Sequence, residues 1–129
     1  MKIATLIVRA ILGGGFVVFG LNGFFHFIKM GEMAGPAVAF FGALFQTKYM
    51  VPLIFGTEAV AGLMILTGIF LPLGLVLLGP VLVNIILFHA YLAPGGIVMG
   101  IVFCALEVFL VVVYRKYFAG VLTPLVPLW

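Results

Sequence analysis

LGLVLLGPVLVNIILFHAYLA, residues 73–93, contains no charged side chain, and its reading decides the fold. At about 1.5 Å of rise per residue, a helix of this length crosses the ~30 Å hydrocarbon core of a bilayer. A helix at a water-facing surface needs a polar face, and here only Asn84 and His89 interrupt the apolar run. The stretch is therefore a transmembrane span. It is bounded by Pro72-Leu73-Gly74 and by Pro94-Gly95-Gly96, both turn signals. Pro80 lies inside it, removes one backbone bond and predicts a kink between Val76 and Pro80.

Cutting the rest of the chain at glycine, proline and charge clusters yields three more spans. The first covers residues 5–28 and ends at Lys29 and Gly31-Glu32; the second, residues 52–71, opens on Pro52, a residue suited to a first helical turn. The last covers residues 97–114 and is stopped by Arg115-Lys116, with Trp129 beyond it suited to the membrane interface. Residues 36–45 are apolar but too short to cross, which predicts an interfacial or re-entrant segment capping the bundle. Short connections make sequential helices antiparallel neighbours. The predicted fold is an all-α, up-down-up-down bundle of four transmembrane helices forming one domain.

Composition agrees. Of 129 residues, 67% are apolar and 7% charged, against about half and a quarter in soluble domains. Six basic residues against three acidic ones are too few and too scattered for a nucleic-acid partner, so the lipid bilayer is the expected environment. Lys2, Arg9, Arg115 and Lys116 fall at one end of the spans, with Lys29 and Lys48 at the other, which predicts that both termini are cytoplasmic. The run from Met1 to Leu21 resembles a signal peptide only at its start; it continues past a signal core without a small-x-small site and reads as a retained helix. Cys104 is the only cysteine, so the chain has no dithiol pair.

Ionisable and amide groups inside the spans are the candidate site. Arg9, Glu58 and Glu107 sit where a charge costs about 2.5–3.5 kcal/mol on insertion scales. Asn22 and His26 of the first span and Asn84 and His89 of the third lie in the outer half, so the polar set is expected to share one depth range. Glu58, His26, His89, Asn22, Asn84 and Glu107 are the ligand-binding or proton-relay candidates. Arg9 is read as an ion-pair partner for Glu107 or as a snorkelling topology anchor. Glu58 shares its face with Ala61, Gly62 and Ile65, and the last span carries the stripe Gly96, Gly100, Cys104, Glu107 and Tyr114. Gly96-x-x-x-Gly100 fits either packing within the bundle or a dimer face. Asn84 and His89 are about 140° apart around the helix axis, so both cannot point inward. Two histidines and an acid on three helices lack ligand spacing, and no metal is expected.

The motifs Arg9 with Phe19-Gly20-Leu21-Asn22-Gly23-Phe24-Phe25-His26-Phe27, Glu58 with Ala61-Gly62-Leu63 and Gly68, and Asn84-Ile-Ile-Leu-Phe-His89 resemble the DoxX family of small bacterial membrane proteins over nearly the whole chain. The resemblance implies a four-helix bundle in the bacterial inner membrane. It also implies a role of the kind some members have as subunits of a thiosulfate:quinone oxidoreductase. The chain departs from the family pattern at Asn22-Gly23, where a lysine is common, and at Leu71-Pro72, where a basic residue is common, so thiosulfate itself is not implied.

Three functions fit the sequence. The first is a quinone-linked redox subunit whose acids and histidines handle the two protons of quinone reduction, with electrons from a redox partner subunit or soluble donor. The second is a non-catalytic structural or assembly subunit held together by Arg9, Glu58 and Glu107. The third is a binder or carrier of a small lipid-like molecule, and a homodimer is compatible with each. Whether the chain is itself an enzyme is left open by its residues.

Overall fold

The computed structural model describes residues 1–29, 31–33 and 35–128. Among them the chain forms α1 (Lys2–Phe25), α2 (Pro36–Gln46), α3 (Met50–Thr67), α4 (Leu71–Tyr91) and α5 (Ile97–Val113), with 3-10 turns at Pro94–Gly96 and Arg115–Phe118. Trp129, expected at the membrane interface, lies outside the described residues.

Four of these elements, α1, α3, α4 and α5 with its leading turn, are long and apolar enough to cross a membrane. The protein is a multi-pass membrane bundle. Its outer surface is as apolar as its core: Ile3, Leu63, Val83 and Val98 each leave more than half of their area uncovered. The interior is filled by Leu12 and Phe16 of α1, Ala61 and Ile65 of α3, Leu75, Leu78 and Leu82 of α4, and Leu110 of α5. Lipid tails are as apolar as leucine, so these contacts hold the helices by close packing and not by escape from water.

Helix ends follow local chemistry. Pro36 opens α2 and Pro72 opens α4 within their first turns, where a missing N–H costs nothing. Gly68, with φ of 84°, closes α3 and donates its N–H to Met64 O. The first helix stops at Phe25 rather than near residue 28, because His26 takes the left-handed conformation and donates its N–H to Asn22 O. Pro80 lies inside α4, which continues through it to Tyr91.

The four long helices alternate in direction. Gly13 and Gly20 of α1 meet Gly62–Leu66 and Phe55–Ala59 of α3, and Gly74 near the start of α4 meets Ala61–Ile65 near the end of α3. Gly96 and Gly100 lie against His89, Ile85 and Ile86, so this pair serves packing within the bundle. On the remaining side, α1 and α5 meet through ring contacts of Phe103 with Phe16 and Phe19, at 5.4 and 6.1 Å between centroids. Lys2 and Tyr114 line one groove, which puts both ends of the bundle's chain on one side. At the far side α2, about 16 Å long and too short to cross, packs Phe40 and Phe41 on Phe88 of α4 at 5.5 and 5.3 Å.

The closest seam is α1 on α3. A Cβ at Gly13 would sit 2.7 Å from Leu66 N and 2.8 Å from Gly62 O, and one at Gly62 would sit 2.7 Å from Gly13 O. Backbone cannot swing aside as a side-chain tip can, so both positions require glycine. Gly13→Ala is expected to lower stability in detergent by about 1–3 kcal/mol. Gly14→Ala, whose added methyl meets nothing within 4 Å, should leave the melting temperature unchanged or raise it slightly.

Candidate functional site

The polar residues of the spans divide into those that serve backbone and those that do not. Arg9 belongs to the first group. Its Nε donates to Ile65 O at 3.0 Å and its Nη2 to Leu66 O at 3.2 Å. These carbonyls belong to the last turn of α3, which has no further helical N–H to bond, and a cation there also suits the negative end of the helix dipole. Of the two readings of Arg9, an ion pair with Glu107 or a snorkelling anchor, the ion pair does not form among the described residues, and the guanidinium bonds these carbonyls. Gly68 completes the cap, since a Cβ there would lie 2.6 Å from Arg9 Nη2. This seat for Arg9 was missed from sequence; a glycine just past an apolar run, at the depth of an arginine on another span, was its signal.

Asn22 also serves backbone. It is buried, and its Oδ1 accepts from Ile28 N at 2.6 Å while its Nδ2 donates to Ile28 O at 3.3 Å. Both ends of the amide thus fold the chain back over the end of α1. His89 donates Nδ1–H to Ala93 O at 3.0 Å, tying the end of α4 to the turn before α5. His26 forms the left-handed cap of α1 and is exposed.

Glu58 and Glu107 belong to the second group. They are 5% and 6% exposed, on the interior faces of α3 and α5. Glu58 shares its buried face with Ala61, Gly62 and Ile65, as its helical spacing requires. Among the described residues Glu107 Oε2 has no hydrogen-bond partner. Among the described residues no hydrogen bond ties Glu58 to another helix.

Helix register gives their depths. Gly20 abuts Ala59, so Glu58 is level with the outer third of α1; Phe103 packs on Phe16 and Phe19, so Glu107, one turn beyond them toward the termini, is level with the middle of α1. The two acids are therefore separated by about 5–10 Å in depth. His26 is six residues beyond Gly20, and His89 packs on Gly96 and Gly100, so both histidines sit about 10 Å further out. The polar set is thus spread in depth, from Glu107 near mid-span through Glu58 and Asn22 to the histidines. Glu58 is buried, His89 half-buried and His26 exposed, and Asn84 faces outward from α4.

Two grooves open toward the surroundings. One, of about 350 Å³, runs between α3 and α4 along Pro52, Gly56, Val60 and Leu77; the other, of about 410 Å³, lies between Lys2, Thr5 and Arg9 of α1 and Val113 and Tyr114 at the end of α5. Neither is lined by Glu58 or a histidine. The candidate site is thus the two buried carboxyl groups, Glu58 on α3 and Glu107 on α5, neither of which lines either groove. No family model, no curated protein and no solved structure matches the chain.

Because Arg9 bonds carbonyls and not a carboxylate, Arg9→Leu should cost about 1.5–3 kcal/mol in thermal unfolding, with Arg9→Lys in between. Its effect should add to that of Glu107→Gln within about 0.5 kcal/mol, as for residues with no shared partner. Asn22→Leu, which strands the Ile28 N–H and carbonyl, should cost about 1–3 kcal/mol and speed proteolysis just after α1.

Proposed function

We propose that this protein is a DoxX-like subunit linked to quinone redox chemistry, with Glu58 and Glu107 as its proton-handling groups. The observation that carries this reading is the contrast within the polar set. Arg9, Asn22 and His89 each hold backbone, whereas Glu58 and Glu107 are buried and Glu107 Oε2 bonds nothing among the described residues. An acid at membrane depth is costly, and one that ties no helices together is better explained by chemistry than by architecture.

Reduction of a quinone to a quinol adds two electrons and two protons at the ring oxygens. The electrons come from a reduced partner subunit or soluble donor, because the single Cys104 cannot cycle as a dithiol. The protons pass through the carboxyl groups, which can donate and accept in turn. In this reading the head group enters between α1 and α5, where rings close the seam in place of backbone contact. His26, exposed, and His89, half-buried and held through Nδ1 by Ala93 O, stand between the acids and the outer face. Lys2, Arg9, Arg115 and Lys116 at the terminal end support a bacterial inner-membrane protein with both termini cytoplasmic.

A purely structural subunit is the second reading, favoured by the absence of Glu58 from the lining of both grooves. Titration of the protein in nanodiscs with short-chain ubiquinone and menaquinone separates the two. Glu58→Gln and Glu107→Gln are expected to weaken quinone binding about tenfold while leaving the melting temperature of the ligand-free protein unchanged. Failure to bind either quinone, or loss of binding that only tracks loss of stability, would sink the redox reading.

A further inference from the structure

Asn84 lies thirteen residues into α4, a helix that runs from Leu71 to Tyr91, and it is exposed. Among the described residues its amide has no hydrogen bond. The side chains sharing its outer stripe are apolar or aromatic: Leu73, Leu77, Leu87 and Tyr91 are all exposed. At this depth the surroundings of a lone copy are acyl chains, which offer an amide neither donor nor acceptor, and the group is too short to reach the headgroups. Leu77 is two turns from Asn84 on the same stripe and also forms one wall of the α3–α4 groove, whose opposite side is Pro52, Leu53, Gly56, Thr57 and Val60. An uncovered amide and a shallow apolar groove therefore face the same way.

We infer that this face is the interface of a homodimer in which Asn84 pairs with Asn84 of a second copy. The occupant follows from two constraints. Copies in one membrane share an orientation, so a two-fold axis between them runs along the membrane normal and brings identical residues together at identical depth. An amide carries both a donor and an acceptor and so complements itself across that axis, which a charged or donor-only side chain cannot do. The α4 helices then cross at Asn84. Apolar side chains of each α4 fill the groove of the other copy, where Gly56, met only by Phe24 at 3.9 Å from an added Cβ, leaves room for close approach. This inference does not depend on the quinone reading.

Single-molecule photobleaching in neutral phosphatidylcholine vesicles, at rising protein-to-lipid ratio, reads the oligomeric state directly. The wild-type chain should be dimeric, Asn84→Leu should weaken association about tenfold, and Asn84→Gln should keep most of it. Because Asn84 faces outward, Asn84→Leu should keep its melting temperature in detergent. A second measurement is independent of any change at Asn84. In a Cys104→Ala background, Tyr91→Cys, at the boundary end of the same stripe, should form an intermolecular disulfide on oxidation. Val98→Cys, equally accessible at the start of α5, should not. Monomers at every density, dimers indifferent to Asn84→Leu, or cross-linking at Val98→Cys in preference to Tyr91→Cys would each overturn the proposal.

Discussion

The rest of the molecule depends on the contact of α1 with α3, where Gly13 and Gly62 bring two backbones within reach of each other. In a bilayer no hydrophobic force draws helices together, so association rests on how many atoms can touch. Glycine at both positions removes the spacer that every other residue would insert. That approach lets Arg9 reach the last carbonyls of α3, which lie on the other side of the same seam. The cap in turn settles where α3 ends and therefore where α4 begins. Packing comes first here, and hydrogen bonding completes it.

Polar groups in this bundle obey the scarcity of partners imposed by lipid. Arg9, Asn22 and His89 satisfy carbonyls or N–H groups at helix ends, where the backbone runs out of its own partners. Such groups are architectural even though their residue types suggested chemistry. Glu58 and Glu107 lie mid-helix, where the backbone is already paired, and so cannot serve it in this way. Asn84 is mid-helix too but faces out. The division between ends and middles thus separates residues that complete the fold from residues that await a proton, a ligand or another chain.

Much of the architecture was legible because it follows from length and apolarity alone. All four spans and the short α2 appear at the expected places, and the face shared by Glu58, Ala61, Gly62 and Ile65 is buried as a unit. What was not legible concerns pairs. The boundary of α1 moved because Asn22 and His26, read as site residues, form the end of the helix. Arg9, open between an acid and the interface, bonds carbonyls because the unpaired end of α3 offers strong acceptors at its depth. The buried face of α1 runs through Leu12, Phe16, Gly20 and Asn22, while Gly15 and Phe19 meet Phe103 of α5.

By itself the sequence determined that the chain crosses a bilayer four times, because transfer into hydrocarbon is a property of each segment and can be summed along it. It also determined that a few ionisable groups are carried to membrane depth. Tertiary structure alone decided which of them have partners, since a hydrogen bond depends on the register and rotation of two helices, and one residue's rotation of about 100° moves a side chain from the interior to the lipid. Glu107 was turned in and Asn84 out by the packing of their neighbours, a collective outcome that no single span contains.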